Sequence, residues 1–398
     1  MKAVAYAAEW LLALLLVPAR RTLRLLGWRP SGITIIGWWG SETAGDIAIL
    51  GQLLAEVDEV ARELRPTIVS FDADLTRRSL AALNRSTVRV LPLGLGSAWT
   101  LVSAKAVMFG GGPLMESPTL PIWAMRAAVA RLAGVRVMLY GNGIGPLRSA
   151  RASRAVAALL RLSTQVALRD GAAQQWARQH VPEVRTARTF DPAFDFVRSS
   201  LVPSVRREPM LALALRAPPA AYLGVSDASD ATEATDRFVS LLASTLDGLL
   251  DRHDLSLEGI VMHTGFAGSD DHVLFERLRA KLRHPHRLYV TPGVHSPTDV
   301  IATLQRAQAA LTVRFHAMIF ALATETPFVA IDYARPAGKV SAAADDIGRS
   351  AEVIAWDALD VEVLTERLEA ALASAPVTPP DLGAEQETRR RMLADAVA

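Results

Sequence analysis

The 398-residue chain has no cysteine. That excludes a disulfide framework, a thiolate nucleophile and any cysteine-ligated zinc or iron–sulfur centre, and it fits a reducing compartment, hence the cytoplasm. Aromatic residues are only 6% of the chain. No basic stripe is interleaved with them, so nothing reads as a nucleic-acid surface. No spacing of His, Asp and Glu reads as a metal site, and no glycine pattern has the dinucleotide spacing, so neither a metal nor a cofactor is expected. Long apolar runs are also missing. The best, Ala3 to Ala19, is 17 residues with Glu9 inside it, at the short limit for a spanning helix.

What is present is a hydrophobic fraction of 51%, too high for global disorder and enough for two full cores. The net charge of +2 is unevenly placed. Lys2, Arg20, Arg21, Arg24 and Arg29 face a single Glu9 within residues 1–30, so the body of the chain is slightly acidic. Trp10 to Val17 is apolar on every face of a helix, and Pro18 is expected to break or bend it. Two readings of this end fit the pattern. One is an anchor lying on the inner face of the cell membrane, with leucines and Trp10 in the acyl boundary and arginines on anionic headgroups. The other is a helix packed on the protein's own core.

From Ile33 onward, short apolar runs alternate with helical patterns. "ITIIG", "TIVSF", "VRVLPL", "AVMFG", "VRVMLY" and "QVALR" read as strands; Ile47–Leu64, Ile122–Ala133 and Ala150–Leu162 read as helices. This alternation predicts a parallel sheet covered on both faces. The polar, proline-containing "FVRSSLVPSVRREP" near residue 200 marks a domain boundary. The alternation then restarts with "MLALAL", helix Arg237–Leu250, "GIVMH", helix Asp271–Leu282, "RLYV", helix Thr298–Arg306, "AALTV", a helix from about His316, and "PFVAID". The expected fold is therefore α/β: two doubly wound Rossmann-like domains facing a cleft. The division is an N-terminal helix (1–30), a first domain (31–200), a second domain (201–375) and a closing loop and helix (376–398). Residues 217–234, rich in Pro and Ser, read as a mobile loop over the cleft.

Three glycine-rich loops follow three strands of the first domain. "GWWGSETAGD" (37–46) leads into a helix, where Gly40 and Gly45 permit close backbone approach and Asp46 either borders an anion site or caps the helix. Gly110-Gly111-Gly112 and "GNGIGPL" (141–147), with Asn142 and Gly143, are the others. Each is either a ligand loop or a tight packing point. In the second domain, Arg216 and Arg314 end apolar strands. A guanidinium there pairs with an aspartate or with an anionic ligand, and two such forks suit a ligand bearing both a carboxylate and a phosphate. His316 opens the helix after Arg314, and His263 is a further cleft residue. His284, His286 and His295 read as solvated loop residues.

Taken together, these loops resemble the polysaccharide pyruvyl transferase family. Gly37, Gly40, Gly45, Asp46 and Ala48 match its first glycine loop. "GGGPL" (110–114), "GNGIGP" (141–146), Arg169-Asp170, Asp191-Pro192-Ala193 and Arg314-x-His316-Ala317 follow in the family's order. Thr43 stands where the family often has Asn, and its Tyr-x-x-Lys turn is stretched here to Tyr333 and Lys339. The resemblance implies a fold similar to the two-domain GT-B glycosyltransferases. It also implies transfer of a pyruvyl group from phosphoenolpyruvate to a saccharide diol on a cell-surface polysaccharide or its lipid-linked precursor. The donor would bind the second domain through Arg216, Arg314, His263 and Lys339. The acceptor would lie along Gly40, Gly45, Gly111, Gly112, Asn142 and Gly143. His316 would act as general acid or donor ligand, and Asp46 as a base. A nucleotide-sugar glycosyltransferase and a non-catalytic, membrane-associated carbohydrate-binding protein are the competing expectations.

Overall fold

The computed structural model describes residues 2–30, 32–41, 43–219, 228–264, 270–334 and 338–398. They form two compact units. The first comprises Met1–Ser41, Asp46–Pro192 and Leu382–Ala398; the second comprises Glu42–Gly45 and Ala193–Asp381.

The first unit carries seven strands: β1 (Gly32–Ile36), β2 (Arg65–Ser70), β3 (Arg89–Pro92), β4 (Ala106–Phe109), β5 (Arg136–Asn142), β6 (Gln165–Leu168) and β7 (Ala187–Arg188). Their order is β3-β2-β1-β4-β5-β6-β7, and each neighbouring pair is parallel. β4 is buried along its whole length, as expected when helices cover both faces of a parallel sheet. The strand order reverses between β1 and β4, so the loops after these strands diverge there and leave room at the carboxyl edge. Helix Ala150–Leu162 starts where Ser149 accepts from Ala152 N, and it buries Ala152, Val156, Leu159 and Leu160 at helical spacing.

The second unit has six strands: β8 (Glu208–Ala214), β9 (Ser256–Gly259), β10 (Leu288–Val290), β11 (Ala307–Thr312), β12 (Phe328–Asp332) and β13 (Val353–Ala355). Their order is β10-β9-β8-β11-β12-β13, again all parallel, with the reversal between β8 and β11. Phe238, Leu242, Leu246 and Leu249 of helix Ala228–Arg252 join the sheet's apolar face in one core. Helix Pro297–Arg306 opens with a reciprocal cap between Ser296 and Asp299.

Three sequence expectations change. The apolar "GIVMH" is not the strand itself: β9 lies earlier, at Ser256–Gly259, and the strand ends where Ile260–His263 begins to carry loop contacts. Of the segment read as a loop, residues 228–234 are already helical, while 220–227 lie outside the described residues. Pro18 does not end its helix, which runs from Lys2 to Leu25. Ala13, Val17 and Arg20 of that helix are buried in the first unit. Arg20 donates through Nη1 to Val102 O and to Ala104 O at 2.9 Å, satisfying carbonyls at the end of helix Ala98–Ser103. The N-terminal helix therefore packs on the protein's own core along one face.

The closing helix, Gly383–Val397, also belongs to the first unit. Arg389 reaches Glu56 through Nε at 3.1 Å and Nη2 at 2.5 Å. Gln52 Nε2 and Tyr140 Oη donate to the same carboxylate at 3.0 and 2.8 Å. Glu56 and Arg389 have no solvent exposure, so this pair acts as a buried rivet whose carboxylate is held by Arg389, Gln52 and Tyr140.

Candidate functional site

In the first unit, the three glycine loops do meet at the carboxyl edge of the sheet. Asn142 Nδ2 donates to Gly112 O at 3.1 Å, Leu114 N to Gly143 O at 2.8 Å, and Gly145 N to Leu114 O at 2.9 Å. The spaces between them are filled by the two tryptophans of the first loop. A Cβ on Gly37 would lie 2.2 Å from Gly110 O, and one on Gly111 would lie 2.5 Å from the Trp39 ring. Gly111 also has φ +75°, which side chains rarely adopt. Trp38 Nε1 donates to Pro113 O at 3.2 Å, and its ring packs on Phe71 and Trp123. Gly40 (φ +85°) presses against the backbone of Asp72 and Ser70 Oγ. Asp46 is not the residue before the helix. It is the third residue of helix Ala44–Val60, mostly buried, with Oδ1 2.9 Å from where a Gly112 Cβ would sit. Behind these loops, Arg169 donates to Asp191 at 2.8 Å and to Asp170 at 3.3 Å, all buried, and its guanidinium lies against Gly143.

The second unit arranges its carboxyl edge differently, with long polar side chains on consecutive strand ends. Arg314 follows β11 and stands at the N-cap of helix Phe315–Ala323. Its guanidinium makes a two-point contact with Asp271, Nε to Oδ2 at 2.9 Å and Nη2 to Oδ1. Asp271 Oδ2 also accepts from Met262 N and His263 N, both at 3.1 Å. The aspartate is buried and Arg314 nearly so, so the carboxylate fixes the fork's plane. Arg216, after β8, reaches across the end of β11 to donate to Tyr333 Oη at 3.1 Å, beyond β12. Its guanidinium carbon lies 5.8 Å from the Tyr333 ring centre, and among the described residues its buried Nε finds no acceptor. Lys339 Nζ lies 5.5 Å from the Phe315 ring centre, a cation–π distance. The ring of Phe315 meets His316 edge-on at 5.2 Å. Gly45, which clusters with this unit, sits directly against His316: a Cβ there would be 1.9 Å from Nδ1.

The expected donor-side residues thus share one sheet edge in the second unit, and Gly40, Asp46, Gly111, Gly112, Asn142 and Gly143 share one in the first. The aspartate alternative for Arg314 is the one observed, with Asp271 as partner. Asp271 was readable only as a helix start. Asp332, also unmarked in sequence, accepts from Ala334 N, Ser341 N and Ser341 Oγ at 3.1, 2.9 and 2.7 Å. It thereby links Ala334 to the first turn of helix Lys339–Asp346, and it leaves no room for a Cβ on Gly338. His295 corrects the reading of solvated histidines. It is buried, and its Nδ1 accepts from Val261 N at 3.1 Å. Burial holds its pKa below the ordinary histidine range.

The fold is shared with solved sugar-nucleotide epimerases. UDP-GlcNAc 2-epimerase from Methanocaldococcus jannaschii is 12% identical, with a TM-score of 0.61 over 91% of this chain and 99% of that one. The Neisseria meningitidis UDP-GlcNAc 2-epimerase, solved bound to UDP-GlcNAc, is 10% identical, with a TM-score of 0.59 over 92% and 99% of the two chains. At such identities the likeness establishes the two-domain α/β, GT-B-like fold. No curated protein matches the chain. A family model for polysaccharide pyruvyl transferase matches residues 44–335. That stretch holds the second and third glycine loops, the Arg169–Asp191 brace and the Arg314–His316 helix start. The chain belongs to the polysaccharide pyruvyl transferase family.

Proposed function

We propose that this enzyme transfers the pyruvyl group of phosphoenolpyruvate to two hydroxyls of a saccharide, forming a cyclic pyruvate ketal and releasing phosphate. One observation carries the reading: Arg216, Arg314, Lys339 and His316 occupy neighbouring strand and helix ends at one sheet edge, a chemistry suited to a small ligand with a carboxylate and a phosphate. In this reading the second unit takes the donor. Arg314, held in plane by Asp271, and Arg216 grip its two anionic groups, Lys339 and His263 border it, and the first turn of helix Phe315–Ala323 adds the positive end of its dipole.

Chemistry begins with a proton delivered to the enol CH2, which becomes the methyl group and leaves C2 electrophilic. His316 is the proposed acid. One sugar hydroxyl adds to C2 and loses its proton. The second hydroxyl then closes the ring as the C2–O bond to phosphate breaks. The two hydroxyl protons balance the one placed on carbon and the one carried off by phosphate. Asp46, beside the triple-glycine loop of the first unit, is the proposed base on the acceptor side. The acceptor is a cell-surface polysaccharide or its lipid-linked precursor, met on the cytoplasmic side where phosphoenolpyruvate is made.

The test is phosphate release from phosphoenolpyruvate against a panel of pyranosides, with NMR for a new ketal methyl. The expected result is one phosphate per methyl formed. Release of nucleotide from a nucleotide-sugar, with phosphoenolpyruvate untouched, would instead identify a glycosyltransferase. Saccharide binding with neither turnover would identify a binding protein.

A further inference from the structure

The N-terminal helix has two faces, and among its described side chains, from Leu11 onward, the buried ones lie on the inward face. With about 100° of turn per residue, Leu11, Leu15, Pro18, Thr22 and Leu26 form a strip on the opposite side from Ala13, Val17 and Arg20. No charged residue falls within that strip. Leu11 is 55% exposed, Leu15 75%, Leu25 89% and Leu26 77%. Arg21 extends the surface by donating to Leu132 O at 3.4 Å, beside a further exposed leucine side chain. Single exposed leucines are ordinary on soluble proteins, but a helix face made of them marks an interaction surface.

We propose that this face docks on an anionic lipid bilayer, with Leu11, Leu15, Leu25 and Leu26 in the acyl boundary and Arg21, at the edge of the strip, and Arg29, just beyond the helix, on the headgroups. Charge selects the occupant. From Trp10 to Pro30 there is no acidic residue to neutralise the arginines. A second copy docking through the same face would set arginine against arginine, because a two-fold interface pairs a surface with itself. Anionic headgroups complement both the leucines and the cations. The helix would lie along the surface, since among the described residues no helix is long and apolar enough to cross a membrane. The inference concerns the outer surface of the first unit and does not depend on which reaction the chain performs.

The experiment is co-sedimentation of the full chain with vesicles of phosphatidylcholine alone, or with about one third phosphatidylglycerol added. Two variants accompany it: Leu11→Gln/Leu15→Gln/Leu26→Gln, and Arg21→Gln/Arg29→Gln. The wild type should partition onto the anionic vesicles far more than onto the neutral ones, and less so in about 0.5 M salt. The arginine variant should lose about thirtyfold in partitioning at low salt, and the leucine variant should lose binding to both vesicles. All substituted side chains are exposed, and circular dichroism and melting checks on both variants confirm folding. The proposal is overturned if the full chain stays in the supernatant with both vesicles, or if the leucine variant sediments like the wild type. It is equally overturned if sedimentation velocity without lipid finds a dimer that the leucine variant dissolves.

Discussion

The two sheets end in different ways at their carboxyl edges. In the first unit the loops are closed by backbone and by indole: Trp39 fills the space that Gly37 and Gly111 leave, and Trp38 ties itself to Pro113. In the second unit the same edge is occupied by guanidinium, phenol, imidazole and ammonium groups whose reach crosses from one strand end to the next. A parallel α/β sheet leaves the same kind of opening at its switch point in both places. What is placed there decides whether the edge is a rigid wall or a charged grip.

The largest expected difference concerns His316. His316→Gln keeps a hydrogen-bonding side chain but removes the proton that the proposed mechanism has the imidazole deliver. Turnover with saturating phosphoenolpyruvate should fall by about 10²–10⁴, with melting temperature unchanged. Single-turnover rates beside donor titrations check this, and a loss of affinity with turnover intact would make His316 a ligand of the donor instead.

In the first unit a comparable substitution should act on stability. Gly111→Ala forces a side chain into a left-handed φ and against Trp39, which should cost about 2–4 kcal/mol in urea unfolding. Donor affinity in surviving folded protein should stay at wild type. Altered affinity with stability intact would mean that the glycine loop touches the donor.

Arg216→Ala should do the reverse. One charge-assisted contact is worth about 1.5–3 kcal/mol, so calorimetric titration should show phosphoenolpyruvate binding weakened about ten- to hundredfold without a fall in melting temperature. Unchanged affinity would leave Arg216 as a partner of Tyr333 alone.

The smallest effect is on pH dependence, and it belongs to His295. Burial lowers its pKa, His272 adds to the lowering, and Asp299 opposes it. As pH falls below about 6.5 the unfolded chain takes up the proton before the folded one does. The stability associated with neutral His295 is therefore complete above that pH and declines below it, until the folded form protonates as well. Unfolding free energy measured from pH 7.5 to 5 should slope downward, and His295→Gln should flatten the slope.

The sequence displayed most of this architecture because apolar runs in a parallel sheet are local. β4 and β12 are visible as "AVMF" and "FVAID" without knowledge of their neighbours. β9 is displaced from the apolar run because Ile260–Met262, after it, are buried throughout, whereas β9 itself is buried only at alternate residues and carries Ser256 and Glu258. The arginines were legible as an energetic problem, since a guanidinium at the end of an apolar strand needs a partner. The partner was not legible, because Asp271 lies 43 residues away from Arg314 and no periodicity connects them. His295 misled for the same reason: loop residues look solvated until a backbone amide from another segment is known to point at them. The glycine loops showed their position but not their contents, since nothing local says that Trp39 folds back into the space the glycines open.

The rivet between Glu56 and Arg389 also orders events in time. Glu56 is synthesised early, and the arginine follows 333 residues later, after the whole second unit has been made. Until then Glu56 has no cation in the place the finished protein gives it, and a carboxylate sealed away from water alone is strongly unfavourable. A first unit without its closing helix therefore lacks the cation that neutralises Glu56, and it is expected to be less stable than the finished unit. Helix Gly383–Val397 is thus the latch of a domain whose other residues lie on the far side of the second unit in sequence.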